Sequence, residues 1–82
     1  MVLIELYSKH DCHLCEEAHD ALMRVQRKHP FELRVNKLTP ADPQFEVFKE
    51  RFPVVYIEKE YAFQYRVPEG KLQAMLDELE GE

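Results

Sequence analysis

The order of hydrophobic patterns along the chain constrains its fold more than any other feature. The run Val2–Tyr7 is apolar except for Glu5, which is typical of a strand covered on both faces in the middle of a sheet. From about His13 to Lys28 the apolar residues recur at helical spacing with charged residues between them. His29 and Pro30 end this helix. The chain therefore opens with a buried strand that leads directly into an amphipathic helix.

The middle of the chain predicts a second strand and a second helix. Phe31–Asn36 alternates apolar and polar residues, the pattern of a strand with one face in water. Asp42 can cap free amides and is followed by proline, which tolerates the first helical position. We therefore predict a short helix over roughly Pro43–Arg51. The only loop-like stretch, 37–41, is too short to be a linker.

The last third of the chain predicts a β-hairpin and a final helix. Val54–Ile57 and Tyr61–Val67 are rich in β-branched and aromatic residues and are separated by a short polar turn. Glu69–Leu79 carries a helical apolar stripe. The predicted order is β-α-β-α-β-β-α, an α/β architecture of one sheet with helices packed on it. With 82 residues and no internal repeat, we expect one domain, residues 1–82, that buries about 60 to 65% of its unfolded surface.

Charge and hydropathy narrow the classes of function. The net charge of -5 is spread along the chain, which disfavours a nucleic-acid surface because phosphate binding needs clustered Lys and Arg. The N-terminal apolar run is too short for a signal-peptide core, and no later run has membrane-spanning length. We expect a cytoplasmic monomer without nucleic-acid or membrane partners. In a reducing cytosol two cysteines are rarely a structural staple, so they are expected to carry chemistry.

The two cysteines are separated by only two residues at the junction of the first strand and the first helix. Cys12 lies at this junction and Cys15 one turn inside the helix. Residues at this spacing are about 5 to 6 Å apart, inside the Cα separation that a disulfide requires. The pair can therefore close and reopen without unfolding the protein.

The position of each cysteine predicts its role. Cys12 lies where unpaired helical amides and the helix dipole favour a thiolate, so it is the expected nucleophile. Cys15 shares the helix face of Leu14 and Ala18 and is expected to be partly covered, which suits a resolving thiol. Cys12 would form a mixed disulfide and Cys15 would release it. Lys9, His10 and His13 favour the thiolate and Asp11 opposes it, so we expect the Cys12 pKa to lie below about 8.5.

Two alternatives stay open at this point. Two cysteines at this spacing also make half of a zinc or iron–sulfur site. Cys12, Cys15 and His19 lie on successive turns, and His10 or His13 could complete a zinc or copper site, although there is no second cysteine pair. The other alternative is a non-catalytic interaction domain. Because the pair follows a strand and opens a helix, we favour redox chemistry and predict no bound metal.

Several residues together resemble glutaredoxins. The pattern Tyr-Ser-Lys-x-x-Cys-x-x-Cys follows a buried strand, and a proline after an arginine and an aromatic residue precedes the third strand. With the element order, these residues are most similar to short bacterial glutaredoxin-like proteins. The resemblance implies a thioredoxin fold with a four-stranded mixed sheet and helices on both faces. It also implies a thiol–disulfide oxidoreductase, or electron carrier, that acts on protein or small-molecule thiols and disulfides.

The same resemblance implies substrate-binding residues. Pro53 would correspond to the cis-proline that faces the cysteines, and the backbone of Phe52 would pair with a thiol substrate. Lys9 would stabilise the thiolate or a ligand carboxylate, with a solvated loop lysine as the alternative. Arg51 is a candidate for a substrate carboxylate contact or for a cation at the helix C-terminus. His13, between the cysteines, completes the predicted set.

The chain also departs from the glutaredoxin pattern. His13 and Leu14 stand where most members carry Pro-Tyr. Before the last helix, Val67, Pro68, Glu69 and Gly70 replace the Gly pair and Asp of glutathione-binding members. Proline removes an amide donor and Glu69 adds a like charge, so this subsite for a carboxylate is weakened. We expect no resident cofactor, with glutathione or another low-molecular-weight thiol as candidate reductants, and a protein thiol or another small thiol as the substrate.

Overall fold

The computed structural model describes residues 1–81 and has the predicted order of elements. These are β1 (Leu3–Lys9), α1 (His13–Gln26), β2 (Glu32–Leu38), α2 (Pro43–Phe48), β3 (Val54–Ile57), β4 (Glu60–Gln64) and α3 (Glu69–Glu80). The strands form one sheet in the order β2-β1-β3-β4. β1 is parallel to β2 and antiparallel to β3, and β3 is antiparallel to β4. This mixed sheet with three helices confirms the thioredoxin-like fold that the resemblance implied.

The larger core lies between the sheet and the helices α1 and α3. Strand residues alternate between faces, and Ile4 and Leu6 point toward this core. Leu6 pairs with Val35 of β2 on one side and Val55 of β3 on the other. The buried members of this core are Ile4, Leu6, Ala18, Leu22, Val25, Phe31, Val55, Ile57, Phe63, Leu72 and Leu76. The two helices thus cover one face of the sheet along most of its length.

A smaller core lies on the opposite face, near the end of β1 that leads into α1. Its aromatic rings, here called the aromatic cluster, are those of Tyr7, Phe45, Phe48, Phe52 and Tyr56. The Tyr7 and Phe48 ring centroids are 5.2 Å apart, and those of Phe45 and Phe52 are 5.5 Å apart. These separations are typical of stabilising aromatic pairs. Cys15, Leu38 and Val54 are buried with the cluster, which links α2 to the cysteines.

Some element boundaries differ from the prediction. β1 extends past Tyr7 because Ser8 and Lys9 still pair with β2. α2 stops at Phe48 instead of Arg51, and the Arg51 amide donates to the Phe48 carbonyl in a turn. β4 ends at Gln64 instead of Val67. Tyr65 has a positive φ of 68°, a conformation outside the range of a strand.

The prediction for Asp42 was wrong in its mechanism. Asp42 precedes α2, but its side chain makes no capping hydrogen bond to that helix. The carboxylate instead accepts bonds from the Thr39 amide at 2.7 Å and the Thr39 hydroxyl at 3.2 Å. It therefore stabilises the turn that leads into the helix.

The only charged residue in the first apolar run is buried and paired. Glu5 is 7% exposed, and the Lys59 ammonium lies 3.2 and 3.3 Å from its two carboxylate oxygens. The burial of a carboxylate is offset by a partner of opposite charge. The turn between β3 and β4 supplies it.

Candidate functional site

The two cysteines lie together at the first turn of α1. Their Cα atoms are 5.1 Å apart and the sulfurs are paired as a disulfide. Cys12 is the N-cap residue of α1, with extended backbone angles, and its Sγ accepts a hydrogen bond of 3.2 Å from the Cys15 amide. A sulfur at this position can use a helical amide that would otherwise lack a partner.

The cysteines differ in exposure. Cys12 is half-buried, whereas Cys15 is 5% exposed and packs against Phe52 and the other members of the smaller core. Cys12 is therefore the more accessible of the two sulfurs. This difference matches the predicted covering of Cys15.

Phe52 and Pro53 lie beside the cysteine pair. The peptide bond between them is cis, and both side chains are buried. Phe52 belongs to the same core as Cys15, against which Cys12 also packs. It precedes β3 and lies outside its ladder of paired residues. The structure thus brings these two predicted substrate-contact residues to the site.

Lys9 also lies at this site. It is the last residue of β1 and is half-buried. Its ammonium is 6.0 Å from the centroid of the Phe52 ring, at the limit of a cation–π contact. The ammonium therefore lies near the ring of Phe52, which belongs to the same core as Cys15.

Arg51 and His13 make other contacts. An Arg51 guanidinium nitrogen donates to the Val47 carbonyl at 3.3 Å, and the group lies 5.4 Å from the Phe48 ring. These are the contacts of a cation at a helix C-terminus, the alternative role considered for it. His13 is the first residue of α1, and its exposed ring lies 3.7 Å from the Glu17 carboxylate.

His10, like His13, lies next to a carboxylate. His10 lies 3.5 Å from Asp11, and both are exposed. Within residues 1–81, one group of at least three side chains places its ligand atoms close enough to share an ion: His29, Asp77 and Glu80. In this group His29 lies beyond the end of α1 and contacts α3, with separations of 3.4 and 3.6 Å. It contains neither cysteine.

The carboxylate of Glu69, in the first turn of α3, is already paired with a cation. Pro68 is the N-cap of α3 and makes no side-chain capping bond. The Glu69 carboxylate accepts hydrogen bonds of 3.0 to 3.3 Å from the Arg24 guanidinium of α1. This contact holds the pKa of Glu69 below its ordinary value and raises that of Arg24. Arg24 thus offsets the negative charge that the sequence placed at this helix end.

A cavity of about 460 Å³ lies on the other side of the cysteines, between α1 and β2. We call it the side cavity. Its lining residues are Leu6, Ser8, Lys9, Asp11, Cys12, Cys15, Glu16, His19, Asp20, Val35 and Lys37. The alternation in β2 predicted that Val35 would be covered, but it is 46% exposed. The correction follows from the position of β2 at the sheet edge, where the polar side of α1 leaves the strand uncovered.

Sequence reasoning missed most of the side cavity. One signal was present, because Ser8 continues the alternation of Ile4 and Leu6 and so had to face the same side as α1. The sequence contains no comparable signal for Lys37. It lines the cavity because the register of β2 against β1 places it beside Ser8.

Solved structures with similar folds come from several organisms. A protein from Nitrosomonas europaea, Ne2328, is 26% identical over 90% of this chain and 89% of its own, with a TM-score of 0.76. A protein from X. campestris, XcR50, is 23% identical over 92% of this chain and 96% of its own, with a TM-score of 0.74. Glutaredoxin 1 from Francisella tularensis matches over the full length of both chains at 11% identity and a TM-score of 0.56. These similarities support the thioredoxin-like fold.

A search of curated proteins found no match. The family model described as "Glutaredoxin-like domain (DUF836)" matches residues 3–77. This match spans every strand, both cysteines and most of α3. The chain therefore belongs to the glutaredoxin-like domain family DUF836.

Proposed function

We propose that this protein is a thiol–disulfide oxidoreductase in which Cys12 is the nucleophile and Cys15 the resolving thiol. The observation that carries the proposal is the local geometry of the pair. Cys12 Sγ accepts a helical amide hydrogen bond and is accessible, while Cys15 is covered with its Cα 5.1 Å away. The family and fold support a thiol redox role in general terms.

The reaction needs only the two thiols. The Cys12 thiolate attacks one sulfur of a substrate disulfide, a mixed disulfide forms, and the other substrate sulfur leaves as a thiolate. Cys15 then loses its proton and attacks Cys12 Sγ, which releases the second substrate thiolate and closes the Cys12–Cys15 disulfide. The substrate gains two electrons and the protein loses two. An external thiol, glutathione or another low-molecular-weight thiol, returns the pair to the reduced state.

Phe52, Pro53 and Lys9 are the proposed contacts for the substrate during the attack. The first two lie in or beside the core that contacts the cysteines, and the Lys9 ammonium lies near the Phe52 ring. A substrate segment that adds as a strand next to Phe52 would leave its sulfur close to Cys12. Lys9 would favour the departing or attacking thiolate. His13 and Arg51 are expected to contribute less, since each already contacts a neighbouring helix group.

We propose a cytoplasmic reaction on protein or small-molecule disulfides, carried out by a monomer. Within residues 1–81, no helix combines the length and the apolar character needed to cross a membrane. The weakened carboxylate subsite before α3 argues for substrates other than glutathionylated ones, although Arg24 pairs the charge of Glu69. Micromolar affinity for glutathione, or efficient turnover of a glutathionylated peptide, would contradict this choice of substrate.

The proposal is tested by separating the two steps. Cys12→Ser should reduce the turnover of 2-hydroxyethyl disulfide, with dithiothreitol as reductant, by at least about 100-fold, because the nucleophile is lost. Cys15→Ser should instead accumulate a mixed disulfide on Cys12 that mass spectrometry detects. Arg66→Gln, an exposed change on another part of the surface, is the control. Unchanged turnover in Cys12→Ser would exclude the proposed mechanism.

A further inference from the structure

The floor of the side cavity is formed by two pairs of neighbouring strand residues. Leu6 pairs with Val35, and Ser8 pairs with Lys37, across the parallel strands β1 and β2. The wall opposite is the side of α1 that carries Glu16, His19 and Asp20, and the two cysteines close one end. Its volume of about 460 Å³ lies within the range that holds a small molecule. A bound molecule would lie next to Cys12.

The hydroxyl of Ser8 lacks a protein partner and lines the cavity. Ser8 is 4% exposed, and within residues 1–81 its side chain forms no hydrogen bond to another protein group. Within residues 1–81, every fully buried side-chain nitrogen or oxygen has a hydrogen-bond partner. Because the Ser8 oxygen has none, it must retain some accessible surface. A buried hydroxyl is stabilised by a hydrogen bond, and a molecule in the cavity can supply one.

The two sides of the cavity carry opposite charges. Lys37 lies on the strand side, while Glu16 and Asp20 lie one helical turn apart on α1. Within residues 1–81, none of these three side chains has an oppositely charged group within 4.0 Å. The cavity thus presents a basic side and an acidic side that do not neutralise one another. A ligand with both charges is favoured over a ligand with one.

We propose that the side cavity binds one half of a small zwitterionic disulfide, an amino-acid disulfide of the cystine type, and presents its sulfur to Cys12. The carboxylate lies toward Lys37 and the Ser8 hydroxyl, the ammonium toward Glu16 and Asp20, and the methylene against Leu6 and Val35. This inference rests on the proposed function and names its substrate class. Cys12 attacks the near sulfur, the distant half leaves as a thiolate, and Cys15 then releases the bound half, so two amino-acid thiols form per protein disulfide.

The first test compares four disulfides with dithiothreitol as reductant: zwitterionic cystine, cationic cystamine, anionic 3,3′-dithiodipropionate and neutral 2-hydroxyethyl disulfide. The ratio kcat/KM for cystine should exceed that for cystamine and for 3,3′-dithiodipropionate, whose charges are all of one sign, by about tenfold, since only cystine matches both sides of the cavity. Equal values for these three disulfides would overturn the inference while leaving the proposed oxidoreductase intact.

Variants locate the preference within the cavity. Lys37→Gln and Asp20→Asn should each lower the ratio of cystine to 2-hydroxyethyl disulfide turnover by about three- to tenfold. Arg34→Gln is the matched control, because Arg34 lies on the same strand but pairs with Glu32 outside the cavity. It should leave both rates unchanged. A ratio that responds equally to Lys37→Gln and Arg34→Gln would contradict the assignment.

A binding measurement separates the failure of this inference from that of the proposed function. S-methylcysteine, a zwitterion without a disulfide, is titrated into the Cys12→Ser/Cys15→Ser protein and followed by amide NMR. The amides of Ser8, Val35 and Lys37 should shift, and propionate at the same concentration should shift them less. Binding of S-methylcysteine by a protein that shows no disulfide turnover would contradict the proposed function but support the binding site. Disulfide turnover without these amide shifts would contradict the binding site alone.

Discussion

The two sides of the cysteine pair are built differently. On one side, Phe52 and Pro53 are buried, and Phe52 packs within the aromatic cluster. On the other, the side cavity leaves Val35 exposed, and within residues 1–81 its Glu16, Asp20 and Lys37 have no ion-pair partner. We propose that disulfides react at the packed side, through its shape and backbone, and that the charges of the open side select among them. On these proposals, reactivity and selectivity depend on different parts of the molecule.

The largest expected difference between the sides is in stability. Phe48→Ala should lower the free energy of unfolding by about 3 to 5 kcal/mol, because it removes a buried ring from the centre of the aromatic cluster. Val35→Ala, in the side cavity, should change it by less than about 1 kcal/mol. Urea unfolding of the oxidised proteins gives both values. Comparable losses would show that the side cavity is packed as tightly as the aromatic cluster.

The next largest effect is the loss of stability when the buried carboxylate of Glu5 loses its ion-pair partner. Lys59→Met should lower the free energy of unfolding by about 1 to 2 kcal/mol, because Glu5 would lose the partner that offsets its burial. Lys37→Met in the side cavity should have little effect, since that ammonium has no ion-pair partner in the described chain. The double variant Glu5→Gln/Lys59→Met should recover part of the loss. Equal effects of the two single lysine changes would remove this contrast.

A smaller effect is expected at alkaline pH. Burial, and then the negative charge of Glu5, raise the pKa of Tyr7 above its ordinary value of 10.0. The unfolded chain therefore releases this proton first. The contribution of Tyr7 is fully present below pH 10 and is lost as the pH rises through the folded-state pKa. Ultraviolet titration should show one tyrosine that ionises above pH 10, and this transition should be absent in Tyr7→Phe. A Tyr7 that ionises at or below pH 10 would contradict its packing.

The smallest expected effect is on the pKa of Glu69, which forms an exposed ion pair with Arg24 of α1. This pair contrasts with Glu16 and Asp20, which the same helix presents to the side cavity and which have no ion-pair partner within residues 1–81. The pKa of Glu69 is lowered mainly by the hydrogen bond from Arg24. Its stabilising contribution is therefore present above the ordinary carboxyl pKa and is lost as the pH falls through the folded-state value. Arg24→Gln should return the Glu69 titration, followed by carboxyl NMR, to its ordinary range. A titration unaffected by Arg24→Gln would show that the pair does not persist in solution.

Patterns of short range predicted most of the fold and the centre of the site. The strand, the cysteines and the start of α1 follow one another within Val2–Lys28, so local spacing determined their geometry. Burial of Cys15 also followed from its position on the helix face. By contrast, the turn at Tyr65 depends on a positive φ in a non-glycine residue, which the pattern of apolar residues does not indicate.

The side cavity could not be predicted from the sequence, for a physical reason. It lies between α1 and the Val35–Lys37 part of the edge strand β2, and its shape depends on packing between residues that are distant in the sequence. The alternation in β2 was read correctly as a strand, but the exposure of Val35 depends on what lies above it. The roles of Lys9, Arg51, Phe52 and Pro53 in substrate binding remain predictions that only substrates can test.

The most direct measurement is the equilibrium of the reduced protein with a series of thiol–disulfide buffers, followed by mass spectrometry after acid quenching. We expect one reversible transition in which the folded protein loses two hydrogen atoms as Cys12 and Cys15 form a disulfide, and no such transition in Cys15→Ser. A folded protein that never forms this internal disulfide, at any buffer ratio, would exclude the proposed oxidoreductase.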